Sequence, residues 1–166
     1  MMDGTKTGNT VAIVGVGLIG RAWAAIFARA GWSVRVTDPH GPTLASAPRL
    51  IRDELHALGR HGLADDPDGA AARVTVAASL ADAVQGASFV QENGPEKVAD
   101  KIALFAELDR LAAPDAILAS STSAIVASRF TETLAGPARC WVGHPANPPH
   151  LVPPVQPCGA PGPAPQ

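Results

Sequence analysis

Thr10-Val11-Ala12-Ile13-Val14-Gly15-Val16-Gly17-Leu18-Ile19-Gly20 decides the fold. Its first five residues form a short, β-branched apolar run, suited to a strand covered on both faces. Gly15 to Gly20 then fit G-x-G-x-x-G. In that pattern Gly15 permits a tight turn, Gly17 lets a pyrophosphate approach the backbone, and Gly20 lets a helix pack closely on the strand. From Leu18 onward, Leu18, Ala22, Ala25, Ile26 and Ala30 share one helical face, and Gly31 stops the helix. A second strand over 33–37 ends at Asp38, 18 residues beyond Gly20. The helix start, at Leu18 and Ile19, offers unpaired N–H groups and a partial positive charge to phosphates. A carboxylate at Asp38 can bind both ribose hydroxyls and repels a 2′-phosphate, which predicts NAD rather than NADP. The plainer reading of Asp38 is a turn residue before Pro39.

Working outward, strands and helices alternate. Residues 42–62 carry a helical stripe of Leu44, Ala47, Leu50, Ile51, Leu55 and Leu58. A short strand over 74–77 and a short helix over 79–85 follow, with Ser79 and Asp82 as a capping box. A fourth strand is expected over 88–91, and the clearest helix over 97–112, with Val98, Ile102, Phe105, Leu108 and Leu111 on one side. Strands over 116–119 and 139–142 bring the number to six. Such alternation implies an α/β fold, a Rossmann-type doubly wound and mostly parallel sheet, with ligands beyond the carboxyl ends of its strands. Nine of the 16 prolines fall between Pro145 and Pro165. Because proline lacks the amide donor, that stretch is expected to be an irregular tail.

Composition sets the outer limits. The 166 residues are 46% hydrophobic and 17% charged, with 13 Lys+Arg against 15 Asp+Glu. That describes a single globular domain, and the slight acidity argues against nucleic acid as a partner. The longest uninterrupted apolar stretch, Val11 to Gly20, is about half of what a membrane-spanning helix needs. The first residues lack a secretory layout. Cys140 and Cys158 make neither a disulfide framework nor a zinc cluster, so no metal is expected. The expectation is a soluble, cytoplasmic protein.

The second half carries a more specific series: Gln91-Glu92-Asn93-Gly94-Pro95-Glu96, Lys101, Ala119-Ser120-Ser121-Thr122-Ser123, and Gly143-His144-Pro145-Ala146-Asn147-Pro148-Pro149. It resembles the NAD-binding domain of the 3-hydroxyacyl-CoA dehydrogenase family, over essentially the whole chain from Val11 to about Val155. The His-Pro-x-Asn-Pro-Pro form is similar to the branch containing lambda-crystallin. The resemblance implies that His144 is the catalytic base and that Ser123 hydrogen-bonds the substrate oxygen. It also implies that Glu96 and Lys101 contact the ribose and nicotinamide side of the cofactor, and that Asn147 is structural. The implied reaction oxidises a 3-hydroxy substrate, taking a hydride from C3 to nicotinamide and a proton from the 3-hydroxyl to a base. Imidazole, with an ordinary pKa near 6.5, suits the proton half of that chemistry. The residues alone leave plainer alternatives open. His144 could pair with backbone in a loop after the sixth strand, and Ser123 could cap a helix. Glu96 could serve the helix dipole, and Lys101 could be a solvated helix residue.

The chain also departs from the family pattern. The family's glutamate twelve positions after the histidine falls here on Gln156, which brings no charge to the imidazole. The family's dehydrogenase domain is followed by a helical domain that supplies dimer contacts and much of the substrate pocket. The expected organisation is a flexible 1–8, a cofactor domain over 9–156 and a disordered Pro/Gly/Ala tail over 157–166. An abrupt change to low-complexity sequence predicts a truncated or frame-shifted product, whose partners would be a small-molecule substrate and a helical domain or second copy.

Overall fold

A computed structural model describes residues 9–146, 149 and 155–159, the last five as backbone apart from the side chain of Cys158. The expected 1–8 segment, Asn147 and the stretch 160–166 lie outside the described residues. Seven strands form one sheet in the order β3-β2-β1-β4-β5-β6-β7. They are β1 (Thr10–Val14), β2 (Ser33–Thr37), β3 (Val74–Val76), β4 (Phe89–Glu92), β5 (Ile117–Ser120), β6 (Cys140–Pro145) and β7 (Val155–Gly159). Strands β1 to β6 pair in parallel, and β7 lies antiparallel to β6.

The apolar opening run lies at the centre of the sheet because both of its faces are covered. Ala12 and Val14 belong to a core with α4 (Leu80–Val84), α5 (Val98–Leu111) and α6 (Ser128–Thr131). Val11 and Ile13 belong to the opposite core, with α1 (Leu18–Arg29), α2 (Gly41–Arg60) and α3 (Pro67–Ala72). Gly15 takes φ +86°, which lets the chain turn from β1 directly into α1. Ser79 caps α4 as its sequence predicts, accepting the Asp82 amide at 3.1 Å. Among the described residues no helix is long and apolar enough to cross a membrane.

Three features differ from the sequence reading. Helix α3 was not expected, although Asp66-Pro67 is a start signal: Asp66 accepts the Gly69 amide at 2.9 Å and proline occupies the first turn. Strand β6 runs to Pro145, so His144 lies within it rather than in a following loop. Residues 155–159 form β7 where irregular chain was expected, with Pro157 opposite Gly143. An edge strand is where a sheet tolerates proline, so proline content misled the reading.

Candidate active site

Two features make the end of β1 an anion cradle. Gly15 donates its amide to the Thr37 carbonyl at 2.9 Å, which ties the turn to β2. A Cβ on Gly20 would lie 1.8 Å from the Gly15 carbonyl oxygen, so only glycine lets α1 start this close to the turn. A Cβ on Gly17 would meet nothing within 4 Å, so that glycine faces open space. Gly17 caps α1 without a side-chain hydrogen bond, and the first turn contains no acidic residue. The amides of Leu18, Ile19 and Gly20 therefore point out with no acceptor inside the helix. Leu18 itself is 72% exposed at the rim of this opening.

Asp38 closes the other side of the cradle. Its carboxylate accepts the Val16 amide at 2.9 Å and the His40 amide at 2.8 Å. It is thus held between the glycine turn and the head of α2, which combines the turn role with a fixed position at the cradle's edge. These residues fit a dinucleotide: open amides and a glycine cradle for the pyrophosphate, and an anchored carboxylate at the next strand end for the ribose.

Between β1 and β4 the strand order reverses, and polar groups concentrate there. Asn93 donates its side-chain amide to the carbonyls of Gly15 and Gln91, and its Oδ1 accepts the Ser121 hydroxyl at 2.7 Å. The Ser121 oxygen also accepts the Trp23 indole N–H at 3.0 Å and the Gln91 amide at 2.7 Å. One hydroxyl therefore joins α1, β4 and the segment after β5. Below it, Glu92 is 1% exposed and Lys101 2%. The ammonium lies 2.9 and 2.8 Å from the two carboxylate oxygens, which also accept the Gly94 amide and the Ser120 hydroxyl at 2.5 Å each. Lys101 is not a solvated helix residue; its ammonium is buried against the Glu92 carboxylate.

Glu96 fixes the segment that carries Ser123. Its Oε1 accepts the Thr122 hydroxyl, the Ser123 amide at 3.1 Å and the Ala124 amide at 2.9 Å. Burial works to raise the Glu96 carboxyl, but the Thr122 hydroxyl, the Ala124 and Ser123 amides and the nearby Lys101 charge outweigh it. The net direction is below its ordinary value. Thr122, not Ser123, closes the following turn, its oxygen accepting the Ile125 amide at 3.1 Å. Ser123 is left exposed at the mouth of a cavity of about 190 Å³, with His144 on the wall supplied by β6. The rest of that wall is largely apolar, including Ile125, Val126, Val142 and Cys158. His144 Nδ1 is buried and has no hydrogen-bond partner among the described residues. The ladder places residue 156 directly opposite His144.

The structure thus gathers the glycine turn, Asp38, Glu96, Ser123 and His144 at the carboxyl ends of the strands. Sequence reasoning assigned no roles to Glu92, Asn93, Ser120, Ser121 and Trp23. Their signal was partly visible, since Glu92 and Asn93 directly follow the expected fourth strand, but nothing in the spacing pairs them with Lys101 or Ser121.

The family described as 3-hydroxyacyl-CoA dehydrogenase, NAD binding domain, matches residues 10–158. An L-carnitine dehydrogenase from Streptomyces coelicolor is 42% identical over 95% of this chain and 49% of its own length. A lambda-crystallin homolog from Rattus norvegicus is 38% identical over 88% of this chain and 47% of its own. The crystal structure of 3-hydroxybutyryl-CoA dehydrogenase from Escherichia coli superposes with a TM-score of 0.79 at 27% identity, covering 88% of this chain and 31% of that one. The chain spans about half the length of the relatives it matches. It belongs to the 3-hydroxyacyl-CoA dehydrogenase family, as that family's NAD-binding domain.

Proposed function

We propose that this chain is the cofactor- and base-bearing part of an NAD-dependent dehydrogenase, which oxidises the 3-hydroxyl of a 3-hydroxyacyl-CoA or related 3-hydroxy acid to the 3-oxo product. The observation that carries this reading is the shared cavity of Ser123 and His144, at the same end of the sheet as the glycine cradle. Bound NAD supplies the hydride acceptor. The Leu18 and Ile19 amides and the Gly15–Gly20 turn hold its pyrophosphate, and Asp38 holds the adenosine ribose. Ser123 orients the substrate hydroxyl beside the His144 imidazole, which takes its proton. Glu96 keeps Ser123 in place by tying its amide down, and the Glu92–Lys101 pair holds Gly94 and Ser120 beneath.

The half-length match supports a second reading, in which this chain binds NAD but turns over only when the remaining half of its relatives is supplied. One series of experiments separates the two. Calorimetry with NADH is expected to give binding in both cases. Reduced-cofactor absorbance with short 3-hydroxy acids and their CoA esters is expected to rise in the first, and to rise only with a complementing half in the second. Absence of NADH heat at about millimolar concentration would overturn both readings.

A further inference from the structure

The backbone ladder of the sheet stops just short of the site. Between β1, β4 and β5 its last rungs are the Asn93 amide on the Val14 carbonyl at 2.8 Å and the Ser121 amide on the Glu92 carbonyl at 2.9 Å. Beyond them β1 turns away at Gly15 and the chain after β5 runs on to Ser123, and the two are next joined through side chains. A hydroxyl group can donate once and accept twice. At Ser121 all three directions are used. The Trp23 indole N–H and the Gln91 side-chain amide both donate to its oxygen, which leaves its proton for Asn93 Oδ1. That orientation sends Asn93 Nδ2 towards the glycine turn, 3.4 Å from the Val14 and Gly15 carbonyls and 3.1 Å from that of Gln91. The N–H of the same Gly15–Val16 peptide is held from its other end by Asp38 at 2.9 Å. Asn93 also fills the space beneath the turn. Its backbone lies 3.0 Å from where a Gly15 Cβ would stand, and its Nδ2 3.3 Å from where a Gly20 Cβ would stand.

We propose that Ser121 is a positioning residue for the cofactor: by fixing the Asn93 amide it holds the Gly15–Val16 peptide, and with it the turn that receives the pyrophosphate, in the binding conformation. This rests on the functional reading above, in which that turn takes NAD. A turn already held in its bound form loses less freedom on binding, so the gain is in affinity. The hydroxyl stands two residues before Ser123. One oxygen therefore sets the cofactor turn against the segment that orients the substrate hydroxyl.

The test is calorimetry of NADH on the whole chain, at a temperature well below each variant's Tm, so that lost stability does not enter. Ser121→Ala is expected to raise Kd about fivefold, the effect of one net hydrogen bond. Asn93→Ala is expected to raise it at least as much, and the double variant no further, because Ser121 acts through Asn93. Ser121→Thr and Ser121→Val share one shape and differ in the hydroxyl, so the first is expected to bind NADH about threefold tighter or more. Equal affinities for the parent and Ser121→Ala overturn the inference, as do additive losses in the double variant or equal affinities for the isosteric pair. Failure of both Ser121→Ala and Ser121→Val to fold makes the hydroxyl a requirement of folding, and overturns it too. A parent chain that gives no heat with NADH overturns the functional reading itself, which keeps the two failures distinguishable.

Discussion

Replacing Lys101 by methionine would leave the Glu92 carboxylate buried at 1% exposure without its cation. Methionine nearly matches the lysine stem in length, so the main loss is charge rather than volume. The Ser120 hydroxyl and the Gly94 amide remain as donors, but neither neutralises the carboxylate. Removing one partner of a buried pair costs about 3–5 kcal/mol, because the other is left desolvated and uncompensated. For 166 residues the unfolding entropy is about 0.35 kcal/mol/K. The expected drop in Tm is therefore about 9–14 °C, read by calorimetry or far-ultraviolet circular dichroism. Adding Glu92→Gln to Lys101→Met is expected to recover part of that loss, since a neutral amide can still accept the Gly94 amide. The same experiment separates two roles for Lys101. If its ammonium acts through Glu92, NADH affinity in the folded variant changes by less than about threefold, under 0.7 kcal/mol. A Tm within about 2 °C of the parent, with NADH affinity lost tenfold or more, would refute the ion-pair argument and place the ammonium on the cofactor.

The other expected outcomes follow from the same geometry. Gly20→Ala puts a methyl 1.8 Å from the Gly15 carbonyl, so it is expected to cost about 1–3 kcal/mol or more and to abolish tight NADH binding. Gly17→Ala meets nothing within 4 Å, so its Tm is expected to stay near the parent's, while NADH affinity is expected to fall if the methyl enters the proposed pyrophosphate site. The lowered Glu96 carboxyl contributes stability that is fully present above its unfolded value near 4.5 and is lost as pH falls through the folded one. Acid melts are therefore expected to show a loss below about pH 4.5 that Glu96→Gln diminishes. Burial first, then the Asp109 charge, push the Cys140 thiol up to about 11, while Arg139 pulls the other way. At pH 8 roughly one Cys140 in a thousand is thiolate, so maleimide labelling at that position is expected only on unfolding. Gln156→Glu, directly across the ladder from His144, is expected to raise turnover in material complemented with the half of its relatives that this chain does not match. No gain there would show that the missing carboxylate is not what limits the imidazole.

Much of the fold was readable because its signals are local. A β-branched run, a glycine pattern and Gly31 at φ +88° each act within a few residues, so β1, the turn and α1 follow from adjacent positions. The Ser79 cap and the Asp38 position are local in the same sense. What the sequence misread also has a physical cause: proline content argues against a strand only where the sheet needs its donor, and β7 is at an edge. Helix α3 is only six residues long and lies largely outside any apolar period, so its Asp-Pro start was the only sign of it.

By itself, the order of residues determined the alternation of strands and helices, the glycine turn at the end of β1, and the chemical character of His144, Ser123 and Asp38. Tertiary structure alone decided which groups meet. Lys101 reaches Glu92 across nine positions, Glu96 ties down residues 122–124 from 26 to 28 positions away, and Trp23 reaches Ser121 across 98. Such pairings depend on where β4, β5 and α5 come to lie once the sheet is assembled, and on burial that makes an unpaired charge costly. Periodicity and spacing describe one element at a time, and these contacts exist only between elements.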